Sequence, residues 1–152
     1  MNIRSQTRRQ AMLLGGAAAL AAVLAPQMAI ADVKAVEAEI KKLYGEKKAE
    51  SGKIKLDVPQ IAENGLVVPV EVSVESPMSD ADYVKAVHVF ADGNPQAQVV
   101  SYMFSPSCGK AQAATRMRLA QTQNIVCIAE MSDGKLFTAS AEVKVTIGGC
   151  GG

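Results

Sequence analysis

Hydrophobic and polar residues change their spacing early in this chain of 152 residues. Between residues 33 and 44 the apolar side chains recur every three or four positions, at Val33, Val36, Ile40, Leu43 and Tyr44. This spacing predicts an amphipathic helix, and Gly45 is expected to end it. We expect the apolar face to pack on the protein's own domain, and packing on a partner is the alternative.

Beyond Gly52 the hydrophobic period becomes two, which is typical of half-buried strands. Residues 46–53 predict a solvated linker. The alternating runs are 53–61, 66–75, 84–90, 97–104, 114–122, 124–131 and 135–147, with turn residues between them. About seven short strands at this spacing predict a mainly β fold, an immunoglobulin-like antiparallel β-sandwich with an N-terminal helix. Pro69 cannot donate to a strand ladder, so its strand is expected at an edge or to carry a bulge.

The first 31 residues have a different character. Arg8 and Arg9 precede an apolar run over 11–25, and a small-residue site follows at 29–31. This order predicts a cleaved twin-arginine-type signal peptide over 1–31, and therefore a periplasmic protein. A retained membrane anchor is the alternative, although the run is shorter than the roughly 20 apolar residues that a bilayer requires.

Removal of the signal changes the charge balance. Three arginines leave with it, so thirteen basic residues remain against fifteen acidic ones, a net charge of −2. The only remaining arginines are Arg116 and Arg118. This composition excludes the basic surface of a nucleic-acid-binding protein.

The chain has three cysteines, an odd number for an exported protein. Cys108 lies in a predicted turn and Cys127 lies within a predicted strand. We expect them to form a disulfide in an oxidising compartment, and the alternative is a buried Cys127 with a free Cys108. The only histidine, His88, alternates with valines and is expected on the solvent face.

The third cysteine, Cys150, lies in the terminal sequence GGCGG. Gly148, Gly149, Gly151 and Gly152 would make a thin, flexible arm around it. Three residues beyond Ile147 extend about 10 Å, and no neighbour in sequence would activate the thiol. The residues alone leave two interpretations open, a carrier thiol and an interchain disulfide hook. A thiol oxidoreductase is disfavoured because the chain has no C-x-x-C pair.

The signal, the helix, the sandwich and the terminal GGCGG together resemble the SoxY family, the sulfur-carrier subunits of the Sox thiosulfate-oxidation system. The resemblance covers the whole mature chain, and GGCGG is its most specific part. It implies that Cys150 is the covalent attachment site for sulfur intermediates, that the four glycines are a swinging arm, and that the protein is a carrier and not an enzyme.

The resemblance also implies partners. These are SoxZ in a heterodimer and, transiently, the SoxAX cytochrome, the SoxB hydrolase and a sulfur dehydrogenase. We expect no cofactor or metal, no nucleic acid and no membrane attachment after signal removal. The domain organisation is then a signal over 1–31, a helix-plus-sandwich carrier domain over 32–147 and an arm over 148–152. The alternative function is an exported interaction module that uses Cys150 only as an interchain disulfide staple.

Overall fold

The computed structural model describes residues 31–148. Its helix, α1, spans Val33–Tyr44, the range that the sequence predicts. Asp32 caps the first turn, with its carboxylate accepting a hydrogen bond from the Ala35 N–H at 2.9 Å. At the other end Gly45 adopts φ 68° and donates its N–H to the Lys41 carbonyl at 2.8 Å. A residue without a side chain reaches this left-handed region at little cost, which is why the helix ends there.

Nine strands follow the helix. They are β1 Ala49–Ser51, β2 Ile54–Asp57, β3 Ile61–Asn64, β4 Val68–Val74, β5 Val84–Ala91, β6 Gln98–Met103, β7 Ala111–Met117, β8 Gln123–Met131 and β9 Leu136–Ile147. A 3-10 turn at Pro106–Cys108 lies between β6 and β7. Two of these strands, β1 and β3, were not predicted: β1 lies inside the expected linker, and both are only three or four residues long.

The strands form two sheets that face each other. The larger sheet has the order β1-β9-β8-β5-β6, with β3 also paired to β9, and the smaller sheet has the order β2-β4-β7. The pairing is antiparallel except that β1 and β3 run parallel to β9. The predicted fold class, a mainly β, immunoglobulin-like sandwich with an N-terminal helix, is confirmed.

Apolar side chains fill the space between the sheets and also the space beneath the helix. Between the sheets lie, among others, Val70, Val87, Val89, Ile125, Leu119 and Val143. A second, smaller cluster on the outer face of the larger sheet packs Val36 of α1 against Phe90 and Ile128. The helix therefore packs on its own domain, as expected, although Val33 and Leu43 on its predicted apolar face are exposed.

Pro69 lies in β4, the middle strand of the smaller sheet. At Pro69 the strand pairs only with Arg116 of β7, because β2 pairs with β4 from Glu71 onward. The missing N–H of proline thus costs no ladder hydrogen bond on the open side. The prediction of an edge position holds locally, on one side of β4.

The strand registers define two ends of the sandwich. Ala91 is opposite Ile125 at one end of the larger sheet, and Val84 is opposite Met131 at the other. The first, which we call the arm end, contains the turns 64–67, 92–97 and 118–122 and the last described residue, Gly148. The second, the far end, contains the turns 75–83, 104–110 and 132–135. An eight-residue strand such as β5 separates them by about 27 Å at ~3.4 Å per residue.

The predicted signal peptide and most of the predicted arm lie outside the described residues, so the domain boundaries at 31/32 and 147/148 stay predictions. Within residues 31–148, no helix is long and apolar enough to cross a membrane.

Candidate functional site

The predicted site divides at Gly148. Cys150, Gly149, Gly151 and Gly152 lie outside the described residues, whereas Gly148 lies directly after β9 and is described. The structure therefore defines the root of the arm, the point at which the tail leaves the sandwich.

Backbone hydrogen bonds hold the last residues of β9 at this root. The parallel pairing with β3 places Asn64 opposite Ile147. The Ile147 carbonyl accepts a hydrogen bond from the Gly65 N–H at 2.7 Å, and the Gly65 carbonyl accepts one from the Leu119 N–H at 2.8 Å. Near the start of β8, the Thr122 hydroxyl accepts the Val145 N–H at 3.0 Å. The chain is thus fixed by the sandwich up to the residue before Gly148.

Gly148 lies against the backbone of the 118–122 turn. A Cβ atom added to Gly148 would lie 2.1 Å from the carbonyl oxygen of Ala120, far inside van der Waals contact. Any other residue would force the turn or the end of the chain to move. The first glycine of GGCGG is therefore required for close backbone approach as well as for the flexibility predicted from the sequence.

Two buried side-chain amides support the turn that Gly148 contacts. The Asn94 amide oxygen accepts hydrogen bonds from the Ala120 N–H and from the Gln123 amide, both at 3.0 Å. The Asn94 amide nitrogen donates to the Arg118 carbonyl at 2.8 Å. Asn94 and Gln123 are 8% and 4% exposed. These bonds tie two turns of the arm end to each other.

Gln123 completes this network. Its amide oxygen accepts the Gly93 N–H at 2.8 Å, and its nitrogen also donates to the Gln121 carbonyl at 3.1 Å. A Cβ at Gly93 would lie 2.8 Å from the Gln123 Cβ, so this second glycine also permits a close approach. Sequence reasoning placed Asn94 and Gln123 in turns and missed their role, because nothing in a single sequence distinguishes a buried amide from a solvated turn amide.

Exposed apolar side chains surround the root. Ile147 is 66% exposed, Val67 60% and Leu66 45%, and Ile61 at the start of β3 is 63% exposed. Leu66 lies two residues after Asn64, and the Asn64 side-chain oxygen accepts the Leu66 N–H at 2.8 Å. This bond fixes the 64–67 turn. The surface from which the arm departs is therefore apolar, which is typical of a surface that contacts another protein.

The predicted disulfide between Cys108 and Cys127 is wrong, because both are free thiols. Cys127 is fully buried between the sheets, in the middle of β8, opposite Val89 and Ala139. Cys108 lies exposed in the 3-10 turn at the far end, beyond the end of β6. Separation by one hairpin in sequence did not bring them together, since one side chain points into the core and the other lies in a surface turn.

The two free thiols also differ in reactivity. Burial raises the pKa of Cys127 to about 12. Because the thiolate is the nucleophile, Cys127 is chemically inert at neutral pH. Cys108 is solvent-exposed and donates or accepts only a long contact of 3.8 Å with the Ser105 hydroxyl. Among the described residues, Cys108 is thus the one accessible thiol.

The expectation of a solvent-exposed His88 is also wrong. The valines beside it do point to the opposite face, but α1 covers the outer face of the sheet and leaves His88 only 5% exposed. Its Nδ1 lies 2.6 Å from the Ser101 hydroxyl, and its ring meets the Tyr44 ring edge-on at 5.8 Å. Burial lowers the pKa of His88, and the nearby Glu130 carboxylate partly opposes that shift.

The described residues offer no metal-ligating cluster. In residues 31–148, no three histidine, cysteine or acidic side chains come together in a way that could hold a metal ion.

The protein is a small two-sheet sandwich whose last strand, β9, ends at the apolar arm end, and a glycine-rich sequence with one cysteine follows that strand. These features define its class. Residues 40–150 match the family model described as sulfur oxidation protein SoxY. The chain belongs to the SoxY family.

Solved structures agree with this assignment. The sulfur carrier protein SoxY from Chlorobium limicola f thiosulfatophilum is 33% identical, with a TM-score of 0.64, and the match covers 76% of this chain and 100% of that one. Superoxide reductases share the fold alone. The Ignicoccus hospitalis protein (neelaredoxin) is 19% identical over 76% of this chain and 94% of that one, TM-score 0.56. The Nanoarchaeum equitans protein is 10% identical over 62% and 99%, TM-score 0.50. No curated protein sequence matches this chain significantly.

Proposed function

We propose that this protein is a periplasmic carrier that holds sulfur oxidation intermediates covalently on Cys150 and presents them to enzymes of the Sox system. The observation that carries the proposal is the fixed root: β9 and Gly148 bring the chain to the apolar arm end, and Cys150 follows two residues later in sequence. Membership of the SoxY family and a 33% identical sulfur carrier support it.

The length of the tail limits how the thiol is presented. Two residues beyond Gly148 extend at most about 7 Å, at ~3.6 Å per residue. An enzyme that receives the thiol in an active-site channel must therefore come within that distance of Gly148. Its channel rim would then contact Ile147, Leu66 and Val67, whose exposed side chains suit a protein surface better than water.

The surroundings of the root favour a carrier over a catalyst. The side chains that support it, Asn94, Gln123 and Thr122, are uncharged amides and a hydroxyl whose hydrogen bonds go to the backbone and to each other. Such groups supply neither a general base nor a positive charge that would lower a thiol pKa. Arg118 is the one charged side chain of the 118–122 turn and is exposed to solvent, which screens its charge. We therefore assign the activation of Cys150 to the partner enzyme.

The chemistry that the SoxY family implies can be written as two balanced steps. In the first, the Cys150 thiolate and the sulfane sulfur of thiosulfate form an S–S bond, and SoxAX accepts the two electrons removed. The product is a cysteine S-thiosulfonate. In the second, SoxB uses one water molecule to release sulfate and two protons, which leaves a persulfide on Cys150. A sulfur dehydrogenase is proposed to oxidise that persulfide further.

The proposal includes export and assembly. A twin-arginine-type signal over 1–31 would deliver the chain to the periplasm, where it would form a heterodimer with SoxZ. The competing function is an interaction module in which Cys150 only makes a permanent interchain disulfide. The two functions differ in whether the sulfur bonded to Cys150 turns over.

Intact mass spectrometry of protein purified from thiosulfate-grown cells, before and after mild reduction, tests the proposal. We expect reducible thiosulfonate and persulfide adducts on the C-terminal peptide. Cys150→Ser should abolish them, and the matched variant Cys108→Ser, at the far end, should retain them. A stable interchain disulfide at Cys150 with no sulfur adduct during turnover would contradict the carrier function and support the interaction module, in which Cys150 is only a disulfide staple.

A further inference from the structure

The position of the arm root depends on the 118–122 turn, against which Gly148 lies. Gly148 lies against the Ala120 carbonyl so closely that a Cβ would come within 2.1 Å of it. The position of the 118–122 turn therefore determines where Gly148 lies. The residues that hold this turn in place therefore also position Gly148.

Asn94 makes two side-chain hydrogen bonds to the backbone of this turn. Its amide group bonds both sides of the turn, because the oxygen accepts the Ala120 N–H and the nitrogen donates to the Arg118 carbonyl. The N–H and the carbonyl of Ala120 are thus used for two different contacts: the N–H is held by Asn94, and the carbonyl faces Gly148. Displacement of the Asn94 side chain would leave the turn held next to Ala120 only by Leu119, whose N–H bonds to the Gly65 carbonyl and whose side chain is buried.

Gln123 fixes Asn94 in turn. Its nitrogen donates to the same Asn94 oxygen, and its own oxygen accepts the Gly93 N–H, so the two amides hold each other's orientation. Both side chains are more than nine-tenths buried, and every polar atom of the pair has a partner. A fully satisfied buried network of this kind holds a single arrangement of the loops that it joins.

We propose that Asn94 and Gln123 are positioning residues for the carrier arm: through Ala120 they fix Gly148 and so set the point at which the tail that carries Cys150 leaves the sandwich. The inference rests on the proposed carrier function for its consequence, although the positioning itself is a property of the fold. A tail that can extend only about 7 Å gains much from a fixed origin, because a channel accepts it from few directions.

The natural chain carries its own probes for a test. Cys108 lies at the far end and Cys150 follows Gly148 of the arm end in sequence, whereas Cys127 is buried with a raised pKa, so nitroxide labels are expected on Cys108 and Cys150. Double electron–electron resonance then measures the distance distribution between the far end and the tail. We expect Asn94→Ala to broaden that distribution about twofold, because the turn under Gly148 is released.

A conservative variant separates positioning from stability. Asn94→Asp keeps an oxygen that accepts from Ala120 and Gln123, and it replaces the donor to Arg118 by an oxygen that repels the Arg118 carbonyl. We expect Asn94→Asp to broaden the distribution less than Asn94→Ala does, because the bond to Ala120 is kept, even though the buried carboxylate destabilises the domain. Ser132→Ala, at the far end, removes hydrogen bonds to Tyr83 and Ala81 and serves as the control for stability loss without arm release. If Asn94→Ala does not fold, Gln123→Met is the second variant, with the same broadening expected.

The functional measurement uses unlabelled protein as the substrate of the SoxAX-type thiosulfate-coupling enzyme. We expect Asn94→Ala to lower kcat/KM for loading about tenfold, mainly through KM, with the rate of reaction of Cys150 with a small disulfide reagent unchanged. Unbroadened distances and unchanged loading in Asn94→Ala, or equal effects in Ser132→Ala, would overturn the inference. Failure of the wild-type protein to load at Cys150 would instead contradict the proposed function, and the distance measurement would still decide the positioning.

Discussion

The two ends of the sandwich are held together in different ways. At the arm end, buried amides join turns that lie 24 to 30 residues apart in sequence, through Asn94 and Gln123. At the far end most turns are closed by near neighbours, such as the Asp133 carboxylate with the Lys135 N–H and the Ser79 hydroxyl with the Asp82 N–H. The long-range side-chain bonds there, from Ser132 to Tyr83 and Ala81, are part-buried or exposed and not fully buried. β9 therefore ends at Gly148 on the side of the sandwich whose turns are joined by buried amides, an arrangement that suits the accurate presentation of a reactive group in the proposed function.

The same comparison applies to the cysteines. Cys108 at the far end is exposed on a locally closed turn, whereas Cys150 follows the braced root in sequence. The ends are separated by about the length of an eight-residue strand, ~27 Å. A disulfide requires Cα atoms within about 7 Å, and two residues beyond Gly148 extend at most about 7 Å. We therefore expect any disulfide that Cys108 forms to join two molecules.

The largest expected effect is a difference in stability loss between a variant at the arm end, Gln123→Leu, and a variant at the far end, Ser132→Ala. Gln123→Leu leaves the Gly93 N–H, the Gln121 carbonyl and one bond of Asn94 without their partner in a buried site. At roughly 1–3 kcal/mol for each buried group left unpaired, we expect a loss of about 3 kcal/mol in the free energy of unfolding. Ser132→Ala should cost about 1 kcal/mol, because its hydroxyl bonds are partly solvated. Urea unfolding measures both, and equal losses would contradict the difference between the ends.

How much the sequence predicts follows from how local each feature is. The helix Val33–Tyr44 was predicted to the residue, because its caps at Asp32 and Gly45 depend on neighbours in the chain. Most of the alternating strands were also predicted, but the run 114–122 was misplaced: β7 spans Ala111–Met117, and 118–122 is a turn. The strands β1 and β3 were missed because parallel pairing with β9 is a long-range property of three- and four-residue segments.

The errors at the site have a similar cause. His88 was placed on the correct face, but whether that face is covered depends on where α1 packs. The expected Cys108–Cys127 disulfide failed because sequence spacing does not give side-chain direction across a sandwich. The sequence predicts Gly148 as an arm residue, which stays a prediction, whereas its contact with Ala120 and the amides behind that contact depend on turns that meet only in the folded protein.

A pair of glycine variants sharpens the comparison at the level of backbone geometry. Gly148→Ala places a Cβ against the Ala120 carbonyl and should displace the root, lowering arm loading about tenfold. Gly109→Ala, in the far-end turn, meets open space but has φ 70°, so we expect a stability loss of about 1 kcal/mol. Loading kinetics and thermal unfolding are measured for both variants: slower loading is expected for Gly148→Ala, and lower stability with normal loading for Gly109→Ala. Impaired loading in Gly109→Ala would show that both ends influence the arm.

Acidification tests a region between the two ends. His88 lies under α1, facing Tyr44 from the helix, Glu130 from β8 and Ser101 from β6. Its pKa is lowered in the folded state, so the unfolded chain binds more protons as the pH falls below about 6.5. The free energy of unfolding should therefore decrease with falling pH, by at most about 1.4 kcal/mol per pH unit.

Replacement of the histidine isolates this contribution. His88→Asn should flatten the pH dependence of the unfolding free energy between pH 7 and 5.5, because no imidazole remains to be protonated. The Cys108–Cys150 distance distribution should stay unchanged over the same range, since His88 contacts neither the 118–122 turn nor Gly148 through any hydrogen bond of the described network. An unchanged slope in the variant would assign the acid sensitivity to other groups.

The smallest expected effect belongs to the thiol at the far end. Cys108→Ser replaces an exposed side chain whose only polar contact is the 3.8 Å approach to Ser105, so we expect a stability change within about 0.5 kcal/mol. Non-reducing electrophoresis after mild oxidation should show fewer disulfide-linked dimers, while mass spectrometry shows undiminished adducts on Cys150. Cys127→Ser is the matched contrast: it buries a hydroxyl in the core, where an unpaired polar group costs about 1–3 kcal/mol, and it should destabilise the fold without changing dimer formation. If Cys108→Ser lowered adduct formation, the two ends would be chemically coupled, and Cys108 would need a place in the transfer of sulfur.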